Sequence, residues 1–412
     1  MLRRLTCLAL GCAAWFLAAC TTPRPATKPP GDLVILISID GFRWDYLELH
    51  EAPTLKALAT RGVRAQRMNP SFPSKTFPNH FSLVTGLRPE SHGIVANWFW
   101  DPALGEMFGM AKTDEKWWTG GEPVWITAER QGVRSACFFW PGSETTYGGR
   151  RASQFKIFDK KLSCAQRVDG LLAWLDVPAE QRPQLCTLYF DLVDDIGHRF
   201  GPTAPETRAA VREADEALAR LLDGLAARGL RDRANLVIVS DHGMSECGPD
   251  QVIFFEDLMD TTLVQIESNG PNGGVRPKDP AQTAAILAGI RAKAPPQLKA
   301  YLREEVPAHL HYRRSDRIPP IVLICDDHWN IETKVGWGAK RLIYSRGAHG
   351  WDPATPNMGA LFVAQGPAFR ERATIAGFDN IHVYALLCRL LGITPAANDG
   401  DGRLAPQVLQ HP

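Results

Sequence analysis

Three apolar runs constrain this chain more than any other feature, because each of them stops on an aspartate. Leu33–Ile39 ("LVILISI") is followed by Asp40-Gly41, "LCTLYFDLV" (185–193) by Asp194, and the run in "ANLVIVSDHG" by Asp241-His242. Near-continuous β-branched and aliphatic runs of this length suit strands buried on both faces, as in a parallel sheet. Helical patterns lie between them. "APTLKALATRG" stops at Gly62, and 205–228 repeats Val211, Ala214, Leu218, Leu221, Leu222 and Leu225 on one face before Gly229. Strands alternating with helices predict an α/β fold, a mostly parallel sheet flanked by helices. In such sheets ligands bind beyond the carboxyl ends of the strands, which is where the three aspartates stand.

After Met244 the alternation lapses. "ESNGPNGGVRPKDP" reads as a Gly/Pro/Asn loop, 281–293 as a helix, and "IPPIVLICDD" as a strand with no βαβ partner. Residues 244–346 therefore read as an inserted α+β cap subdomain. It divides an α/β core of residues 32–243 and 347–405, which resumes at "GALFVAQG" and closes with "NIHVYALLCRLLG". With 412 residues, 45% of them hydrophobic, the chain has material for a large core as well as an insert. The formal net charge of +1 gives no electrostatic case for specific nucleic-acid binding. A small charged ligand needs only a local site. Oligomeric state is silent.

The N-terminus reads as a targeting segment. Arg3 and Arg4 precede the apolar run Leu5 to Leu17, too short to span a bilayer. It ends in Leu17-Ala18-Ala19-Cys20, which resembles a bacterial lipoprotein cleavage box. Residues 1–19 are then a signal peptide, Cys20 the lipidated first residue and membrane contact, and 20–31 a Pro/Thr-rich flexible tether. Thr21 stands where an aspartate would favour the inner membrane, so the expected address is the outer membrane of a bacterial envelope. An exported chain can form disulfides, and Cys137 and Cys164 could pair; Cys186, Cys325 and Cys388 sit in apolar runs as buried thiols. No CxxC spacing is present to hold a metal.

The chemistry starts at "NPSFPSKTFPNH" (69–80). Pro70, Pro73 and Pro78 fix the backbone, and "PNHFSLVTG" reads as a short helix with Gly86 just past its end. The Thr76 hydroxyl then lies at or just before a helix N-terminus, where partial positive charge favours an alkoxide or a phosphate. Alone it reads as an N-cap. The strand ends add Asp40, Asp194, His198, Asp241 and His242, and "GAHGWD" adds His349. Asp194 and His198 are placed on the turn leaving the second strand, with Gly197 permitting a tight bend. Carboxylate and imidazole together suit zinc, and six such groups with Thr76 exceed the needs of one tetrahedral ion. Two ions about 4 Å apart would polarise the attacking and leaving oxygens of an in-line phosphoryl displacement. His80 and His92 read as structural hydrogen-bonders, and the remaining histidines need no role.

"SIDGFRWDYL", "PSKTFPNHFSLVTGLRPESHGIVAN", "GEPVWITAERQG", "FFWPGSE", "DDIGHRFGP", "VSDHGM", "PAHLHYRRSDRIPPIVLICDD" and "GAHGWD" occur in the order, and near the spacing, of one family. Over residues 32 to 400 the chain resembles the nucleotide pyrophosphatase/phosphodiesterases of the alkaline phosphatase superfamily. The resemblance implies an alkaline-phosphatase-like sheet and two Zn²⁺ per chain. One would be bound by Asp194, His198 and His349, the other by Asp40, Thr76, Asp241 and His242. It implies Thr76 as the nucleophile, through a covalent intermediate, with Asn97 donating to a non-bridging oxygen. Phe77 would line the leaving-group or base pocket, with Phe158 as a second stacking aromatic. Asp191-Leu192-Val193 replaces the family's common Glu-Glu-Pro, and "GWDP" its usual Tyr-Asp-Asn.

The implied activity is zinc-dependent hydrolysis of phosphodiester or pyrophosphate bonds in NTPs, dinucleotides or nucleotide sugars. Phospholipid or lysophospholipid headgroups are an alternative substrate. A phosphate monoesterase of the same superfamily would normally add an arginine clamp, and none is evident beside Thr76. A sulfatase would need Cys or Ser with Pro-x-Arg. From another class, the chain could be a catalytically silent envelope binding lipoprotein.

Overall fold

Leu33–Ile39 forms the middle of the main sheet, with all seven side chains buried. A computed structural model describes residues 33–340 and 345–411. The signal segment 1–19, the tether 20–31 and Cys20 lie outside the described residues. The strands of two sheets begin, in chain order, with β1 (Leu33–Ile39), β2 (Val63–Ala65), β3 (Ser135–Phe138), β4 (Gln154–Lys156), β5 (Leu185–Phe190) and β6 (Ala234–Val239). They continue with β7 (Val264–Ser268), β8 (Asn272–Pro277), β9 (Leu298–Leu302), β10 (Ile321–Cys325), β11 (Phe362–Gln365) and β12 (Ala373–Ile375). The helices that matter here are α1 (Pro53–Arg61), α2 (Thr76–Thr85), α3 (Cys164–Trp174), α4 (Leu192–Phe200), α5 (Pro205–Ala227), α6 (Thr283–Lys293) and α7 (His382–Leu391).

The large sheet has eight strands in the order β12-β2-β11-β6-β1-β5-β3-β4, and only β11 runs against its neighbours β6 and β2. Pairing sets the level of the strand ends: Ile39 faces Phe190 on β5, and Ser38 faces Val239 on β6. Side chains alternate across the pleat. Val34 and Leu36 join one apolar cluster with Phe81 and Leu83 of α2 and Val383 of α7. Leu33, Ile35, Ile37 and Ile39 join another with Leu55 and Leu58 of α1, Val168 of α3 and Leu218 of α5. Helices therefore cover both faces, as the apolar runs predict. Each such buried aliphatic side chain contributes about 1.5–3 kcal/mol of transfer free energy.

Between β6 and β11 the chain builds a second, antiparallel sheet in the order β7-β8-β10-β9. It has its own apolar cluster, including Phe255, Val275, Ile290, Leu323 and Ile331. Here the sequence misled in one place: half of the supposed Gly/Pro/Asn loop is strand β8. Its glycines are there for close packing, since a Cβ on Gly273 would stand 2.9 Å from Ile331, and one on Gly274 would collide with Pro319. The helix expected from 281 starts two residues later, after a 3-10 turn at Pro280–Gln282.

Two further expectations change. The second apolar run ends at Phe190, and Asp194 and His198 lie on helix α4, not on a turn. Gly197 is helical. Its value is close approach, because a Cβ there would meet Met244, and Gly347 packs on its carbonyl oxygen. Cys137 and Cys164 are separate free thiols, both buried and pushed by burial up to about 12. Among the described residues no helix is long and apolar enough to cross a membrane.

Candidate active site

One side chain ties several turns of the proline-rich segment together. Buried Asn79 accepts from Ser71 N–H at 2.7 Å and donates to the carbonyls of Ser71, Pro73 and Lys75 at 2.9–3.2 Å. Lys75 is extended, Thr76 is the first residue of α2, and Gly86 ends the helix in the left-handed conformation at φ +68°. The hydroxyl is thus placed at a helix N-terminus, as expected.

The strand ends and α4 bring six further side chains beside it. Asp194, His198 and His349 form one compact group of potential metal donors, and Asp40, Asp241 and His242 form another. Thr76 Oγ1 lies 3.5 Å from His242 Nε2. The groups abut: the His242 and His349 rings stack with centroids 3.5 Å apart and 13° from parallel. α4 supplies Asp194 and His198 one helical turn apart on the same face, which suits two ligands to one ion.

Whether these residues fit metal can be judged from their hydrogen bonds. His198 Nδ1 lies 2.7 Å from Gly347 O, His242 Nδ1 2.9 Å from Gly243 O, and His349 Nδ1 2.8 Å from Ser74 O. Each carbonyl needs an Nδ1–H donor, so each Nε2 keeps its lone pair for the cleft. Nε2 of His242 then faces Asp241 Oδ2 at 2.7 Å, and Asp241 Oδ2 makes no hydrogen bond. Asp40 Oδ1 and Asp194 Oδ1 are buried without partners as well. Converging lone pairs and bare carboxylate oxygens call for shared cations; the donor set fits zinc-type ions.

The electrostatics agree. Burial, with Asp241 and Asp194 close by, holds the Asp40 carboxyl well above its usual range, and burial raises Asp194 too. Around these donor groups runs a second layer, of which the sequence reading named only His80, as a structural hydrogen-bonder. Tyr189 donates its hydroxyl to Asp40 Oδ2 at 2.6 Å. His80 bonds Ser38 Oγ at 2.8 Å and the Thr76 carbonyl at 2.9 Å, behind the threonine. For Tyr189 the available signal was faint: a lone tyrosine in an aliphatic strand.

Asp40, Thr76, Tyr189, Asp194, His198 and His349 line a cleft of about 800 Å³. Asn97 Oδ1 accepts the Phe77 N–H at 2.9 Å, which orients its Nδ2 away from that bond. Phe77 packs on Phe108 and Trp118. Phe158 also lines the cleft; it is 43% exposed but braced edge-on by Phe139, with Arg167 over its ring. Lys75, Lys112 and Lys160 supply the positive side chains of the lining, and no arginine does so among the described residues.

The family model for type I phosphodiesterase/nucleotide pyrophosphatase matches residues 34–352. An uncharacterized pyrophosphatase/phosphodiesterase of Schizosaccharomyces pombe is 36% identical over 379 residues, covering 89% of this chain and 78% of that one. Ectonucleotide pyrophosphatase/phosphodiesterase family member 1 of Mus musculus is 35% identical over 95% of this chain, which spans only 44% of its length. Inactive murine ectonucleotide pyrophosphatase/phosphodiesterase 5, a threonine-to-alanine variant in complex with AMP, superposes with a TM-score of 0.86. It is 32% identical, over 92% of this chain and all of that one.

Proposed function

The chain belongs to the type I phosphodiesterase/nucleotide pyrophosphatase family, whose members are hydrolases, and we propose that it hydrolyses phosphodiester and pyrophosphate bonds of nucleotides with zinc and Thr76. The observation carrying this reading is the convergence of two three-residue donor groups on a threonine hydroxyl at a helix N-terminus. Asp194, His198 and His349 would hold one zinc, and Asp40, Thr76, Asp241 and His242 the other. When bound, the ions supply Lewis acidity that activates a hydroxyl and neutralises charge on the attacking and leaving oxygens.

The side chains do the rest. Thr76 Oγ1 loses its proton to water and forms a bond to phosphorus as the bond to the leaving oxygen breaks in line. Water then cleaves the phosphothreonine and restores the hydroxyl. Asn97 is oriented by its bond to Phe77 N–H so that Nδ2 can donate to a phosphoryl oxygen as charge builds there. Phe77 and braced Phe158 would take the base. The AMP bound by murine member 5 supports a nucleotide substrate. A cleft lined by lysines, with no arginine among the described residues to clamp a dianion, favours diesters and anhydrides over monoesters. Residues 244–346, with the second sheet, would act as a cap over the cleft.

Export through residues 1–19 and anchoring through Cys20 belong to the same proposal and rest on the sequence; Cys20→Ser should release the protein from membranes. The central test is Thr76→Ala. Turnover of bis(p-nitrophenyl) phosphate and of nucleotides should fall more than about 1000-fold while zinc content by elemental analysis persists. Retained activity would remove Thr76 as nucleophile.

A further inference from the structure

Ser74–Thr76 threads between the two ligand groups. The Ser74 carbonyl accepts from His349 Nδ1 at 2.8 Å, and the Thr76 hydroxyl lies 3.5 Å from His242 Nε2. Between them Lys75 sends its side chain along the cleft wall. Gly350, the residue after His349, makes room for it. A Cβ there would stand 3.1 Å from Lys75 Cε and 3.4 Å from Cγ, and its φ of +128° suits only glycine. Asn272 of β8 fixes this glycine by donating to its carbonyl oxygen at 2.6 Å. Lys75 is therefore packed against the Asp194–His198–His349 side of the cleft.

Its ammonium makes no hydrogen bond or ion pair with any described residue. The opposite charge acting on it is Glu332, through space, and Asn269 engages that carboxylate at 2.6 Å. An ammonium offers three donors and no acceptor, so in a cleft its natural complement is an anionic oxygen. In-line attack by Thr76 expels the leaving oxygen away from the α2 N-terminus. On the site reading above, that is toward the His349 side, where Lys75 runs.

Resting on that reading, we infer that Lys75 is a specificity residue that takes an anionic oxygen of the leaving group. It selects phosphoanhydrides, whose leaving group is itself a phosphate, over diesters of neutral alcohols. As the Oγ1–P bond forms, the Thr76 hydroxyl releases its proton to water, the P–O–P bridge breaks and its electron pair stays on the departing phosphate. Lys75 meets the charge of that phosphate without giving up a proton.

The test uses two substrates that share one transferred group, thymidine 5′-diphosphate and the p-nitrophenyl ester of thymidine 5′-phosphate, on the zinc-loaded enzyme. Lys75→Met should lower the ratio of their kcat/KM values (diphosphate over ester) by about 10- to 100-fold, the value of a charged hydrogen bond. Lys75→Arg should restore part of it. Because the ratio is taken within one preparation, loss of folded protein cancels. An unchanged ratio, whether both rates fall or neither does, overturns the role of Lys75. A wild-type enzyme inactive on both substrates overturns the site reading instead, and the inference with it.

Discussion

Nε2 of His198 and Nε2 of His349 face each other across 3.0 Å, while each ring gives its Nδ1–H to a backbone carbonyl, of Gly347 and of Ser74. Two imidazoles so engaged present lone pair to lone pair, which is repulsive unless a cation lies against both. Asp194 completes the group, with its carboxylate oxygens 3.4 Å from His198 Nε2 and 3.6 Å from His349 Nε2. The fold therefore holds three donors in a cation-binding arrangement by hydrogen bonds made on their far sides.

Metal removal should cost both activity and stability. Dialysis against a chelator is expected to abolish diester hydrolysis, and added zinc to restore it. At a hundred-fold excess over Kd, zinc should stabilise the fold by about 3 kcal/mol per site, read as a rise in Tm by calorimetry. Identical melting with and without metal would contradict the two donor groups as metal sites.

Tyr189→Phe removes one hydroxyl and leaves the ring in place. Without its bond, Asp40 Oδ2 becomes a second unpartnered oxygen and the carboxylate loses its fixed orientation. Zinc affinity, measured by competition with a chromophoric chelator, should weaken about 10- to 100-fold at one site. If only the metal-free Tm changes and affinity holds, the hydroxyl is structural alone.

Phe158→Ala should distinguish base binding from chemistry. Stacking on a base contributes about 1–3 kcal/mol, so kcat/KM on the nitrophenyl ester of thymidine 5′-phosphate should drop about 10-fold or more. Bis(p-nitrophenyl) phosphate, with no base, should be affected less. Equal losses would place Phe158 outside base recognition.

His92 gives a pH signature away from the ligands. It is fully buried, accepts Ile94 N–H at Nδ1 and bonds Ser82 Oγ through Nε2, and burial brings it down to about 3. With the folded value below the unfolded one, the unfolded chain binds the extra proton between those values. The contribution of His92 to stability is complete above pH 6.5 and is lost as pH falls toward 3. His92→Gln should therefore show a shallower loss of metal-free stability than wild type between pH 6 and 4.5, by up to about 1.4 kcal/mol per pH unit. Parallel denaturation midpoints across that range would exclude the effect.

The sequence by itself determined the sheet and the position of its chemistry. Long aliphatic runs can only be buried on both faces, and their terminal aspartates must then emerge on one edge, so Asp40 and Asp241 were legible from β1 and β6. Thr76 was legible from the prolines before α2 and Gly86 after it. Local signals also misplaced elements: Gly197 read as a bend and Gly273-Gly274 as a loop, because a glycine needed for close packing looks the same in sequence as one needed for a turn. What only tertiary structure decided is how side chains far apart in the chain face one another. The stacking of His242 on His349, the hydroxyl of Tyr189 on Asp40 and the passage of Lys75 beside Gly350 depend on register and helix placement. Those are set by packing across the whole core, and no local pattern encodes them.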